Sequence, residues 1–275
     1  TFQSHAFSIL MMKAKGDPDP ILLSGPEQES YIRELLQGDI EDGFKEWPQD
    51  LHLALTTHGF ARELRDLILR ASERGIGPDQ LAILGQSQGE KYWTAAAAFW
   101  KRYINSMVMR EISAQDAKLR IDPSEIISRA SLHLRNNPEL LEQLRTRFTT
   151  IMVDEFQETD PAQRELLSLI AGQDLVICAD ADSSVGRFRG ADPDGLARAM
   201  DPYRSQEFVL SNVYRNSQSV CEVGSNYVQS FRGSSLTRKR TCVNKDLGHV
   251  GVHRFRSGAE EAASVSYTHL RAHET

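Results

Sequence analysis

Residues 148–157 read FTTIMVDEFQ, and this stretch decides the predicted fold. It starts with apolar and β-branched residues that show no amphipathic alternation, which is typical of a strand buried on both faces of a parallel sheet. Two adjacent acids, Asp154 and Glu155, follow at once, and then Gln157. Because parallel α/β sheets bind ligands beyond the carboxyl ends of their strands, these side chains are predicted to face a ligand.

Further strand and helix units follow this stretch. A helix is predicted to start at Asp160 and Pro161, and a second buried strand covers residues 175–178. Residues 207–210 and 250–255 are predicted as strands, and residues 218–229 as a helix. This alternation predicts an α/β fold with a parallel sheet.

The N-terminal half has a mainly helical pattern. Residues 1–11 are predicted as a strand end that turns into a short helix, and residues 16–20 as a loop. From residue 21 to residue 147 the pattern is helical, with a candidate strand at residues 21–23. The clearest helices are residues 60–71, which stop at Gly75, residues 92–109, and one capped by Asp122.

The composition predicts a folded chain of 275 residues with two or three units. Three cysteines without a CxxC pair argue against a disulfide framework or a zinc site, and they fit a reducing cytoplasm. No apolar run approaches the roughly 18 residues of a membrane span. The net charge of −6 weighs mildly against a dedicated nucleic-acid-binding domain, although motors bind single strands through local grooves.

The two ends of the chain have unusual features. The sequence begins with Thr1 and not with an initiator Met, and no basic region follows, so we expect the sequence to begin within a gene. Residues 266–275 lack apolar periodicity and are predicted to be a non-native tail.

The acids after the first strand suggest phosphate chemistry. One of the two acids can hold Mg²⁺, while its neighbour positions and deprotonates a water that attacks a γ-phosphate. The Gln157 amide can sense the phosphate or the water. The alternative interpretation is a solvated turn that these acids form with Glu158 and Asp160.

Two later segments add to this chemistry. The second strand ends near Asp180 and Ser183, which places acids and hydroxyls at the same sheet edge. Phe188 beside Arg189 supplies a stacking face and a cation for single-stranded nucleic acid, although a core Phe and a surface Arg would give the same pattern.

A third segment, Tyr214 and Arg215, follows the predicted strand at residues 207–210. In a second lobe, Arg215 can act as an arginine finger toward γ-phosphate charge, and Tyr214 can stack on a nucleotide base. A lone Tyr-Arg pair is more often an ordinary surface feature.

Taken together, these segments resemble the UvrD/Rep-type superfamily 1 helicases over nearly the whole chain. Residues 153–163, VDEFQETDPAQ, match the family's second motif, and residues 180–192 match its third. Residues 214–216 match the fourth, and residues 1–4 look like a DNA-contacting motif that follows the first.

The resemblance implies a RecA-like parallel sheet of the P-loop NTPase type. It implies a first lobe (1A) and a helical 1B-like insertion, followed by the start of a second lobe (2A). The implied bounds are residues 1–20 and 148–205 for lobe 1A, 21–147 for the insertion and 206–265 for lobe 2A, before the tail at 266–275.

The resemblance also implies roles for individual residues. Asp154 would bind Mg²⁺, Glu155 would be the catalytic base, and Gln157 and Arg215 would be catalytic through coupling and γ-phosphate contact. ATP would contact Tyr214, Asp180 and Ser183. DNA would contact Thr1, Phe2, Phe188 and Arg189.

The implied protein is an ATP-dependent DNA helicase that moves 3′ to 5′ on single-stranded or 3′-tailed duplex DNA, in repair or recombination. A second motor or a nuclease subunit would be a partner. The chain departs from the family pattern at Ser183 (usually Gln), Gly186 (usually aromatic), Gln3 (usually His) and Val213 (usually Asn).

The family's phosphate-binding loop, GxxxxGK[ST], does not occur in these 275 residues. We therefore expect the parent protein to hydrolyse ATP and this chain alone to be inactive. A non-hydrolysing DNA-binding or scaffolding lobe is the main alternative, and Ser183 and Gly186 favour it. A different RecA-like ATPase is less compatible with residues 188–192 and 214–215.

Overall fold

The computed structural model describes residues 1–12, 18–113, 118–172, 174–192, 206–232 and 240–272. The chain is mixed α/β and divides into two compact units, residues 1–204 and 205–275. The helices are α1 Phe2–Leu10, α2 Gly25–Glu41, α3 His58–Glu73, α4 Pro78–Gln88, α5 Lys91–Ser113, α6 Ile126–Asn136, α7 Pro138–Arg147, α8 Pro161–Ile170, α9 Gln218–Arg232 and α10 Gly258–Ala272. The strands are β1 Asp19–Leu22, β2 Lys118–Ile121, β3 Thr150–Val153, β4 Asp174–Ile177, β5 Asn212–Val213 and β6 Thr241–Cys242.

Helices α2 to α5 form a helical layer around one apolar core. The buried face of α3 comes from residues such as Leu64 and Ile68, at the helical spacing predicted from the sequence. Thr57 caps the start of α3 by accepting a hydrogen bond from the Phe60 amide (3.2 Å). Phe99 and Tyr103 of α5 are buried in the same core.

Strands β1 and β2 precede and follow the helical layer in the chain and pair in parallel, with Asp19 opposite Lys118 and Leu22 opposite Ile121. Asp122, directly after β2, is buried, and its carboxylate accepts hydrogen bonds from Gln28 (2.7 and 2.9 Å), Tyr103 (2.6 Å) and Ser124 (2.8 and 2.6 Å). The prediction that Asp122 caps α6 is therefore wrong. Its oxygens bind side chains across the core, and α6 starts only at Ile126.

A second core joins α1, α6, α7 and α8, with Ile9, Leu134 and Leu166 fully buried. For residues 1–11, the predicted short helix is confirmed as α1, and the strand end before it is wrong, because α1 already begins at Phe2 with Thr1 as its cap. The predicted helix start at Asp160 is confirmed, since Asp160 caps α8 by accepting from the Gln163 amide (2.8 Å).

Strands β3 and β4 form the parallel pair predicted from the sequence, with Val153 opposite Ile177. The prediction that these strands are buried on both faces is wrong. Val153 is buried, but Met152 is 76% exposed and Val176 is 43% exposed. These two side chains lie opposite each other on one face of the pair, and this face is exposed.

The second unit contains the short parallel pair β5 and β6 and the helices α9 and α10. Helix α9 confirms the helix predicted at residues 218–229. The strands predicted at 207–210 and 250–255 are wrong: Leu210 is 93% exposed and Val252 is 94% exposed. Strand propensity depends on a pairing partner, and the chain pairs instead at Asn212–Val213.

Residues 266–272, which belong to the predicted non-native tail, continue α10. The helix is started by Ser257, which accepts from the Glu260 amide (3.3 Å), and extending a started helix costs little. Residues 273–275 of the predicted tail and residues 16–17 of the predicted loop lie outside the described part. Within the described ranges, no helix is long and apolar enough to cross a membrane.

Candidate functional site

The candidate site is built at the carboxyl ends of β3 and β4. The ladder continues past the strands, because the Cys178 amide donates to Val153 O (2.8 Å) and the Phe156 amide donates to Cys178 O (3.0 Å). Asp154 and Glu155 lie between these two bonds and are exposed. The Asp154 carboxylate accepts from the Glu155 amide at 2.9 Å. Both acids thus emerge at the sheet edge predicted from the sequence.

Gln157 joins the ends of the two strands. Its side chain is buried, with 1% exposed, and its Oε1 accepts from the Asp180 amide at 3.0 Å. Its Nε2 donates to Glu155 Oε2 (2.5 Å) and to Ser183 Oγ (3.1 Å). One amide therefore brings together Glu155, Asp180 and Ser183, all predicted as site residues.

Glu155 has an uncommon backbone conformation. Its φ of 52° is left-handed, which among the described non-glycine residues is shared only with Phe44. Such a conformation costs about 1–3 kcal/mol and persists where the surroundings hold it. Here the Gln157 hydrogen bond and the ladder on either side hold it. The strain fixes the direction in which the Glu155 carboxylate leaves the strand.

The segment after Gln157 is not a solvated turn. Asp160 is 6% exposed, and burial raises its pKa to about 6, with the Glu73 carboxylate adding to the shift. Glu158 Oε1 accepts from the Val185 amide at 2.8 Å. The alternative interpretation of residues 154–160 as a solvated turn is therefore wrong for Glu158 and Asp160.

The turn that carries Phe188 packs against this segment. A Cβ on Gly186 would lie 2.0 Å from Glu158 Oε2, so a larger residue here requires the Glu158 side chain to move. Phe188 is 69% exposed, in the short 3₁₀ helix Arg187–Arg189 that also contains the backbone of Arg189. An exposed aromatic ring is the form in which a stacking residue is available to a base.

The N-terminal site residues lie on α1. Thr1 is exposed and caps the helix by accepting from the Ser4 amide at 3.2 Å. Phe2 is partly buried against the core of Val153, Phe156 and Leu167. The start of the chain is thus close to the strand that carries the acids.

Tyr214 and Arg215 belong to the second unit. Tyr214 is 70% exposed, and its hydroxyl accepts from Asn212 Nδ2 at 3.2 Å. The backbone of Arg215 is held by Asn244, whose Nδ2 donates to Arg215 O at 3.3 Å. Both side chains follow β5 directly, so this unit presents them beyond a strand end.

The acids at the end of β3 are a donor set that suits Mg²⁺. Within the described residues, no three His, Cys, Asp or Glu side chains converge as a metal site. Mg²⁺ usually keeps several waters and takes one or two protein carboxylates together with substrate phosphates. The exposed pair Asp154 and Glu155 offers carboxylates in this number, so the residues fit a magnesium ion bound together with a nucleotide.

Sequence reasoning missed two residues that shape the site, Glu158 and Arg164. Both hold the turn after β4, and neither contact can be seen in the sequence, since each partner is more than 25 positions away. In the sequence, Arg164 can be placed four residues after the helix cap Asp160, but this spacing does not identify its partners.

Comparison with known proteins adds an independent observation. The UvrD/REP helicase N-terminal domain matches residues 1–204. The chain is 30% identical to DNA helicase II of Escherichia coli over 187 residues, which are 56% of this chain and 26% of that protein. It is 33% identical to the putative ATP-dependent DNA helicase YjcD of Bacillus subtilis over 86 residues, 30% of this chain and 11% of that protein.

A third relative is the exonuclease/helicase protein RexA of Streptococcus pneumoniae, 28% identical over 152 residues, 52% of this chain and 12% of that protein. The chain spans about a quarter or less of the length of these relatives. The domain match includes both strands of the candidate site and the turn that carries Phe188. By this match, the chain belongs to the UvrD/Rep helicase family.

Proposed function

We propose that the chain is part of an ATP-dependent DNA helicase that couples ATP hydrolysis to movement along single-stranded DNA. The observation that carries this proposal is the buried Gln157 amide, which links Glu155 to the end of β4. Family membership and the helicase names of the relatives support the same conclusion.

The first unit would supply the hydrolytic residues. Glu155 would accept the proton of the attacking water, held in direction by its left-handed backbone and by Gln157. Asp154 would hold Mg²⁺, which offsets phosphate charge when it is bound with ATP. Asp180 and Ser183 would complete the nucleotide side of the site, and Gln157 would transmit changes between them.

Arg215 would contact the γ-phosphate of ATP, and Tyr214 would stack on its base. Single-stranded or 3′-tailed DNA would contact Phe188 and Arg189. The same DNA would also contact Thr1 and Phe2. The motor would move from 3′ to 5′ and act in repair or recombination. Its partner would be a second motor or a nuclease, and its location would be cytoplasmic. Residues 21–147 would be its 1B-like insertion.

The proposal is tested with Glu155→Gln in the complete gene product. The amide keeps the size of the side chain but cannot accept a proton, so DNA-stimulated ATP hydrolysis should fall by about a hundredfold or more. Binding of single-stranded DNA, measured by fluorescence anisotropy, should be kept. Glu165→Gln is the matched control, since Glu165 lies on α8 in a surface pair with Arg135, and it should leave hydrolysis unchanged.

Unchanged hydrolysis in Glu155→Gln would contradict the assignment of the base. A non-hydrolysing DNA-binding lobe is the second candidate, favoured by Ser183, whose short hydroxyl donates within the chain to Asp180 O (2.9 Å). That function predicts that the unaltered gene product binds DNA and hydrolyses no ATP.

A further inference from the structure

The turn that displays Phe188 is held at both ends by one short segment, residues 158–164. At its start, the Glu158 carboxylate accepts from the Val185 amide at 2.8 Å and lies directly against Gly186. At its end, the Asp192 amide donates to Thr159 O at 3.3 Å. The same segment follows Gln157 in the chain, so the turn is joined to the loop that carries Glu155.

Arg164 makes the strongest part of this junction. Its Nη1 donates to Asp192 Oδ2 at 3.2 Å and its Nη2 donates to Asp192 O at 2.5 Å. Its Nε donates to Thr159 Oγ1 at 2.9 Å, and its Nη2 also donates to Thr159 O at 2.8 Å. All three nitrogens of the guanidinium therefore donate hydrogen bonds, and the side chain is only 14% exposed.

The contacts continue inward to the sheet. The Thr159 hydroxyl donates to Phe156 O at 2.6 Å, and the Phe156 amide bonds to Cys178 O at the end of β4. The Arg164 guanidinium lies 5.2 Å from the centre of the Phe156 ring. A chain of direct contacts thus runs from Asp192, past the displayed turn, to the residue beside Glu155.

We propose that Arg164 is a positioning residue that couples DNA bound at the Phe188 turn to the chemistry at Glu155. This inference rests on the proposed helicase function. A planar guanidinium holds Thr159 and Asp192 at once in a fixed geometry, so a displacement of the turn moves the 156–159 loop with it. A lysine keeps the charge but cannot make this fork of hydrogen bonds.

The test is Arg164→Lys in the complete gene product, with ATP hydrolysis measured without DNA and with saturating single-stranded oligonucleotide. Hydrolysis without DNA should stay within about twofold, while the stimulation by DNA should fall by about tenfold, as expected from losing hydrogen bonds to a charged group. Arg145→Lys is the matched control. Arg145 is also partly buried and donates from Nε to Leu169 O (2.9 Å) at the other end of α8, and its exchange should leave the stimulation unchanged.

Asp192→Ala tests the same junction at its more exposed residue, since the Asp192 side chain is 29% exposed. This variant takes the place of Arg164→Lys if the latter does not fold. It should lower the stimulation, and the double variant should lose less than the product of the two single fold-losses, because both changes remove the Arg164–Asp192 side-chain pair. Equal losses with and without DNA, or full stimulation in both single variants, would overturn the inference. Absence of DNA-stimulated hydrolysis in the unaltered protein would instead overturn the proposed function.

Discussion

At the scale of single residues, Asp160 links pH to stability. Burial raises its pKa to about 6, above the ordinary value of 3.8, so the folded state binds this proton more tightly than the unfolded state. The stabilising contribution is complete below about pH 4 and is lost as the pH rises through about 6. Asp160→Asn keeps an acceptor for the Gln163 amide and cannot ionise.

We therefore expect Asp160→Asn to raise the free energy of unfolding at about pH 8 by on the order of 2 kcal/mol. Urea denaturation at several pH values should show a weaker loss of stability between about pH 4 and 7 than in the unaltered chain. Asp42→Asn, at an exposed helix end, should keep the original pH dependence. An unchanged slope in Asp160→Asn would contradict the burial argument.

The placement of single residues at the candidate site was largely predictable, because it depends on a local strand signal. Asp154, Glu155 and Gln157 follow a recognisable strand, and the acids emerge where such a strand ends. The partners of Gln157 were not predictable in detail: Asp180 and Ser183 are more than 20 positions away, and only the parallel register of β3 and β4 brings them close.

At the scale of elements, the junction of α4 and α5 depends on Gly85. A Cβ at this position would lie 2.7 Å from Thr94 Oγ1 and 2.8 Å from the Thr94 amide nitrogen, on α5. The second atom belongs to the backbone, so the two helices would have to move apart. Gly85→Ala should therefore destabilise the chain by about 1–3 kcal/mol, measured by urea denaturation.

Gly38→Ala in α2 is the matched control, because nothing lies within 4 Å of its added Cβ. The same exchange there should stabilise the chain by about 0.5–1 kcal/mol through helix propensity alone. A stabilising effect of Gly85→Ala similar to that of Gly38→Ala would show that the close packing at Gly85 has no energetic importance.

Elements with local signals were predicted well, and those that need a partner were not. The cap at Asp160 and the spacing of residues 60–71 identified α8 and α3, since capping and amphipathic periodicity are properties of neighbouring residues. Residues 207–210 and 250–255 have strand-like composition, yet they form no ladder. Strand pairing is decided by distant parts of the chain.

At the scale of the whole molecule, the apolar cores lie in the first unit. Among the buried apolar side chains described, only Val228 belongs to residues 206–272. A chain that ends at Arg204 should therefore unfold within about 2 °C of the 275-residue chain, followed by far-UV circular dichroism. A midpoint many degrees lower would mean that the second unit stabilises the first.

The parallel pair β1 and β2 has a consequence for how such a molecule can diversify. The polypeptide passes into and out of the helical layer through neighbouring strands, which are about 5 Å apart in any sheet. Because the strands are parallel, the layer starts at the end of β1 and returns at the start of β2, so a grafted domain must also span the length of the pair, about 10 Å. Asp122 sets a further condition, because its buried carboxylate accepts hydrogen bonds from Gln28 of α2 and Tyr103 of α5, and a grafted domain must supply donors in their place.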